Sequence, residues 1–146
     1  MCTSITFSGL QNTQHTSNNQ RRILIVDDEQ DITQSFKLAL EDSGFKVTTF
    51  NNPLLALSYF TASAYNVLLL DIRMPEMSGF EFYRKIRKVD KKISVYFMTA
   101  FEEYYKEFKN ASPTLVSAYF IRKPIETDHL VRELKSKLSS SSSSPA

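Results

Sequence analysis

Five polar residues could do chemistry together: Asp27, Asp28, Asp71, Thr99 and Lys123. Asp71 closes the run Asn66-Val-Leu-Leu-Leu-Asp71, and Asp27-Asp28-Glu29 follows the run Ile23-Leu-Ile-Val26. Continuous apolar runs of this kind read as strands covered on both faces, so the carboxylates must sit where the strands emerge from the sheet. Two such ends gather like charges. At ~4 Å and an effective dielectric of about 20, each pair repels by roughly 4 kcal/mol, a cost that a cation between them removes. That expense points to a functional site. Taken alone, Asp27, Asp28 and Glu29 could merely interact with the dipole of a following helix.

The elements that position these residues alternate regularly. Residues 22–26 form the first strand (β1), and Ile32, Phe36, Ala39 and Leu40 recur at helical spacing (α1) before Gly44, a C-terminal stop. Residues 46–50 read as β2. Asn52-Pro53 supplies an N-cap and a first-turn proline for a helix through Leu54, Leu57 and Phe60 (α2). Residues 67–70 are β3, and Ser78-Gly-Phe-Glu81 matches a capping box opening a helix that uses Phe82, Ile86 and Val89 (α3). The fourth strand (β4) lies within 91–99, a charged and aromatic helix (α4) over 101–109, and β5 over 117–121. Leu130, Val131, Leu134 and Leu138 mark the apolar face of a last helix (α5).

Five βα units predict an α/β fold, a parallel sheet with helices on both faces. Ligands bind such sheets beyond the carboxyl ends of the strands, where the strand order reverses. Asp27-Asp28, Asp71, Thr99 and Lys123 place polar groups at four of the five strand ends.

Bulk properties narrow the class. The chain has 146 residues and a net charge of +2, short of the strongly basic balance expected of a nucleic-acid-binding domain. Cys2 is the single cysteine, which excludes a disulfide framework and fits a reducing cytoplasm. No apolar run approaches the ~20 residues that span a bilayer. Residues 1–20 read as a disordered polar tail, 21–138 as the folded domain, and 139–146 as a Ser-rich disordered tail. His15 and His129 carry no assignable role.

The motifs Asp27-Asp28-Glu29, Asp71-Ile-Arg-Met-Pro75, Ser78-Gly79, Met-Thr99-Ala100 and Tyr119-Phe-Ile-Arg-Lys123-Pro124, taken in order, resemble the receiver domain of two-component response regulators, here in a stand-alone form like the chemotaxis regulators. The resemblance covers residues 21–138. It implies a flavodoxin-like (βα)5 doubly wound sheet of order 2-1-3-4-5, and a phosphorylation switch rather than an enzyme acting on external substrates. Asp71 matches the phosphoacceptor. Asp28, Asp71 and the backbone carbonyl of Arg73 match ligands of Mg²⁺ (or Mn²⁺), with Asp27 acting through water. Lys123 matches the lysine that pairs with the phosphoryl group, and the Lys123–Pro124 bond is expected to be cis. Thr99 and Tyr119 match the pair that couples phosphorylation to the α4-β5-α5 face.

The implied partners are a histidine kinase or phosphotransfer protein and a downstream protein target, with a homodimer through the same face. No contact with nucleic acid or membrane is expected, and the setting is cytoplasmic. Arg73 and Phe101 are bulky at positions flanking the water path to the phosphoryl group, which predicts slow self-dephosphorylation. Phe101, Tyr104, Tyr105 and Phe108 form a broad aromatic stripe expected to contribute to a partner or dimer face.

Two other classes compete. A haloacid dehalogenase-type enzyme also forms an aspartyl phosphate, but it wants a second aspartate two residues after the nucleophile, where this chain has Arg73. A DNA-binding regulator stripped of its effector domain would share every motif above.

Overall fold

The computed structural model describes residues 20–101, 103, 106 and 118–143. Its strands are β1 (Arg22–Val26), β2 (Lys46–Phe50), β3 (Val67–Asp71), β4 (Ser94–Thr99) and β5 (Tyr119–Arg122). They form one sheet of order β2-β1-β3-β4-β5, with every neighbouring pair parallel. This is the α/β doubly wound topology expected. Most of the predicted α4, with Tyr104, Tyr105 and Phe108, lies outside the described residues, as does the polar tail over residues 1–19.

Each strand alternates its side chains between two cores. Leu24, Val26, Leu68, Leu70 and Phe97 point to the face covered by α2 (Pro53–Tyr59) and α3 (Gly79–Val89). Ile23, Ile25, Val67, Leu69, Tyr96 and Met98 point to the face covered by α1 (Gln30–Asp42) and α5 (Thr127–Ser143). β3 lies between two strands under both layers, and all five of its residues are buried. That explains an apolar run without alternation.

Local signals set the helix ends. Gly44 takes φ +101° after α1, and Phe45 N–H returns to the Leu40 carbonyl at 3.0 Å. Asn52 Oδ1 accepts from Leu54 and Leu55 N–H ahead of α2, with Pro53 in the first turn. Ser78 Oγ accepts from Glu81 N–H at the start of α3.

Several buried faces differ from the predicted ones. Val89 is 60% exposed, because Phe82, Tyr83 and Ile86 already fill the stripe α3 turns to the sheet. Leu54 is 51% exposed, and α2 buries Ala56 instead. Thr33 is buried in α1 beside Phe36 and Leu40. The strand predicted over 117–121 is Tyr119–Arg122, so it ends nearer Lys123. α5 runs to Ser143, past the predicted boundary at 138. Serine costs only a few tenths of a kcal/mol per residue to an established helix, less than starting a new element.

Candidate functional site

The site lies at the carboxyl edge of the sheet, where β1 and β3 are direct neighbours. Asp71 is the last residue of β3, and Asp27 follows β1 directly. Both side chains are buried, Asp27 completely and Asp71 at 5% exposure, whereas Asp28 is exposed. One carboxylate oxygen from each of Asp27, Asp28 and Asp71 lies within 4.8 Å of the others. A cavity of about 490 Å³ opens onto Asp28 and Asp71, lined also by Glu29, Arg73, Thr99, Phe101 and Lys123.

Lys123 enters this acidic cluster from the far strand. Its Nζ is 2.7 Å from Asp27 Oδ2, 3.2 Å from Asp71 Oδ1 and 3.2 Å from Glu29 Oε1. Burial alone would lower the pKa of the ammonium. The Asp27 carboxylate, and then Asp71, outweigh that and hold it above its ordinary value. Asp71 is pushed up to about 7, first by burial and next by the charge of Asp27. One ammonium therefore does not neutralise the cluster.

The residues present fit a hard divalent cation. Three carboxylates supply oxygen donors close together, and beside burial the charge of Asp27 still raises the Asp71 carboxyl with Lys123 in contact.

The backbone around the acids is fixed from both sides. Glu29 N–H donates to Asp27 Oδ1 at 3.0 Å. Asn51 Nδ2 donates to the Asp27 carbonyl at 2.8 Å and to Thr33 Oγ1 at 3.0 Å. Gly79 N–H donates to the Ile72 carbonyl at 2.7 Å, and a Cβ on Gly79 would lie 2.8 Å from Ile72 Cα. The start of α3 thus presses on the end of β3, an approach only glycine permits.

Sequence reasoning misses Asn51, although it occupies the fifth strand end, directly after β2. It also misses the Glu29–Lys123 contact, for which residue order carries no signal.

The remaining expected residues fall into two groups. Thr99 ends β4, is 2% exposed, and its Oγ1 accepts from Phe101 N–H at 3.2 Å. Lys123 N–H donates to the Thr99 carbonyl at 2.8 Å, and the Lys123–Pro124 peptide is cis. Arg73 lines the cavity, and its guanidinium carbon lies 4.6 Å over the Phe101 ring. Tyr119 is not among the cavity-lining residues. It opens β5, is 39% exposed, and stacks on Tyr96 at 4.7 Å between ring centroids.

Residues 23–135 match the family model of the response regulator receiver domain. The chain belongs to that family. Receiver domains are signalling switches of two-component systems rather than classical enzymes.

Among curated relatives, the chain is 31% identical over 118 residues to the response regulator receiver protein CpdR of Brucella abortus, covering 81% of this chain and 97% of CpdR. It is 30% identical over 122 residues to the uncharacterized transcriptional regulatory protein YkoG of Bacillus subtilis, covering 80% of this chain and 50% of YkoG. The receiver thus spans nearly all of one relative and half of the other. Among solved structures, TrrA from Thermotoga maritima, determined in complex with Mg²⁺-BeF, superposes with a TM-score of 0.68 at 32% identity, covering 80% of this chain and 98% of TrrA. Among the described residues, no helix of this receiver is long and apolar enough to cross a membrane.

Proposed function

We propose that this receiver takes a phosphoryl group on Asp71 from a phosphohistidine of a histidine kinase or phosphotransfer protein, in a Mg²⁺-dependent reaction. The observation that carries this reading is the convergence of Asp27, Asp28 and Asp71 around one point, with Lys123 reaching between Asp27 and Asp71. An Asp71 carboxylate oxygen attacks phosphorus, the phosphorus–nitrogen bond to the donor imidazole breaks, and its electron pair leaves with the imidazole. The product is an acyl phosphate on Asp71.

Asp28, Asp71 and the Arg73 backbone carbonyl would hold the cation, with Asp27 acting through water; Mn²⁺ is an alternative. When bound, the cation supplies charge neutralisation between the carboxylate and the incoming phosphoryl oxygens. The TrrA complex with Mg²⁺-BeF supports the binding of a divalent cation by likeness. Lys123 pairs with the phosphoryl oxygens as a compact cation. Thr99 turns its hydroxyl to the phosphoryl group, which changes the α4-β5-α5 face read by a downstream protein or a second copy.

In this reading the receiver is residues 21–138, it works in the cytoplasm, it does not itself touch nucleic acid or membrane, and its only catalysis is on its own aspartate. The test is transfer of label from a phosphorylated histidine kinase. Label should pass to the wild type with Mg²⁺ present. It should not pass to Asp71→Asn or in the presence of a chelator. Equal labelling of Asp71→Asn would refute the assignment.

A further inference from the structure

The turn that carries Asp27 and Asp28 is tied to the end of β2 by two consecutive residues. Asp27 N–H donates to the Phe50 carbonyl at 3.1 Å, and the Asp27 carbonyl accepts from Asn51 Nδ2 at 2.8 Å. The same amide donates to Thr33 Oγ1, in the first turn of α1, at 3.0 Å. Thr33 is 1% exposed, and its own hydroxyl proton goes to the Gln30 carbonyl at 3.0 Å. Both partners of the amide are therefore acceptors, and both amide protons are committed inward although Asn51 as a whole is exposed. Asn51 joins three elements at one point: the end of β2, the acidic turn after β1 and the start of α1. A water in its place would satisfy the same acceptors without tying β2 to either.

We propose that Asn51 is a positioning residue for the divalent cation, setting the affinity of this receiver for the metal by fixing the turn that aims Asp28. The inference rests on the reading of Asp27, Asp28 and Asp71 as the cation site. A peptide unit is planar, so holding the Asp27 carbonyl also holds the N–H and Cα of Asp28. The Asp27 carboxylate has restraints of its own, accepting from Glu29 N–H and from Lys123 Nζ. Asp28 lies at the exposed end of the turn, so its backbone sets where its carboxylate points. Loosening that turn leaves the ligands chemically unchanged but adds the cost of ordering them to the cost of binding. Groups bonded directly to a metal ligand change affinity by about 10- to 100-fold when removed. Asn51 acts one peptide away through a single hydrogen bond, which scales the effect to roughly 3- to 10-fold.

The experiment titrates Mn²⁺ into the full chain and follows the free ion by electron paramagnetic resonance, with Mg²⁺ displacing it in a second series. In Asn51→Ala the dissociation constant should rise roughly 3- to 10-fold. Thr33→Val, which keeps the side-chain shape and removes one anchor of the amide, should act in the same direction by less. Thr33 acts through Asn51, so the double variant should bind no more weakly than Asn51→Ala alone. Asp90→Ala is the control for stability without positioning. It breaks a hydrogen-bonded turn at the opposite edge of the sheet and should leave the Mn²⁺ affinity at the wild-type value. An unchanged dissociation constant in Asn51→Ala, or an equal loss in Asp90→Ala, overturns the proposal. Where Asn51→Ala fails to fold by circular dichroism, an unchanged constant in Thr33→Val overturns it instead. Absence of Mn²⁺ binding by the wild type overturns the cation reading, and this inference with it.

Discussion

Lys123 is more closely paired with Asp27 than with Asp71: its Nζ is 2.7 Å from Asp27 Oδ2 and 3.2 Å from Asp71 Oδ1. The ammonium that the proposed phosphoryl transfer would use beside Asp71 is thus engaged with a neighbouring acid. Anything that neutralises Asp27 and Asp28 frees Lys123 toward Asp71. A divalent cation at the three carboxylates would do so, which couples metal binding to the readiness of the lysine.

That coupling predicts a pH signature. The Asp71 carboxyl is raised from 3.8 to about 7 without metal. A raised carboxyl contributes stability below its ordinary pKa and loses it as pH climbs to the folded value. The metal-free chain should therefore lose stability between pH 4 and 7. Mg²⁺ competes with that proton, so saturating Mg²⁺ should raise Tm by roughly 3–8 °C at pH 8 and by clearly less at pH 5. Asp28→Asn should blunt the shift at pH 8. Equal shifts at both pH values, followed by circular dichroism, would contradict this.

Gly79→Ala should destabilise the fold even though alanine is the better helix former. Its Cβ would lie 2.8 Å from Ile72 Cα, and that neighbour is backbone. Propensity gains at most about 1 kcal/mol, whereas forcing backbone apart costs about 1–3 kcal/mol. Urea unfolding should show a net loss, and phosphorylation should slow because the end of β3 shifts. A stabilised variant would mean that the α3–β3 approach is looser than described.

Asp90 is a prediction for the opposite edge of the sheet. Burial would raise its carboxyl, but backbone N–H groups of Ser63, Lys92 and Ile93 donate to it and, with Arg87, hold it below 3.8. A lowered carboxyl stabilises above its ordinary pKa and loses that contribution as pH falls through the folded value. Asp90→Ala should cost about 1–3 kcal/mol at pH 7, by leaving these N–H groups unpartnered. The gap from wild type should close below pH 3.8. Urea midpoints at pH 7 and pH 3 measure it, and a gap independent of pH counts against the assignment.

Arg73 and Phe101 make one contact across the cavity mouth, 4.6 Å from guanidinium carbon to ring centroid. A cation–π contact at an exposed site is worth about 0.5–1 kcal/mol, or roughly two- to fivefold in a rate. Arg73→Ala or Phe101→Ala should each shorten the phosphorylated half-life on that scale, and the double variant should be the fastest. Half-lives followed by intact mass decide this. An unchanged half-life in the double variant would show that neither residue hinders water.

The sheet, its strand order and the acidic strand ends are legible in the sequence because short apolar runs without alternation, set between helical patterns, fit strands buried on both faces and little else. β3 and Asp71 are the clearest case. The exposure of Leu54 and Val89 is not legible, because spacing alone does not say which of two adjacent positions faces the sheet. Asn51 is equally hidden: its amide matters only because β2 lies beside β1 and brings it under the Asp27 carbonyl. The division of Lys123 between Asp27 and Asp71 depends on tenths of an ångström across elements 96 residues apart. No local pattern encodes that.

The most direct measurement is incubation of the purified chain with acetyl phosphate and Mg²⁺, followed by intact-mass analysis of wild type and Asp71→Asn. The wild type should gain the mass of one phosphoryl group, and Asp71→Asn should gain none. No gain by the wild type with metal present, or an equal gain by Asp71→Asn, would contradict the assignment of Asp71 as the phosphoacceptor.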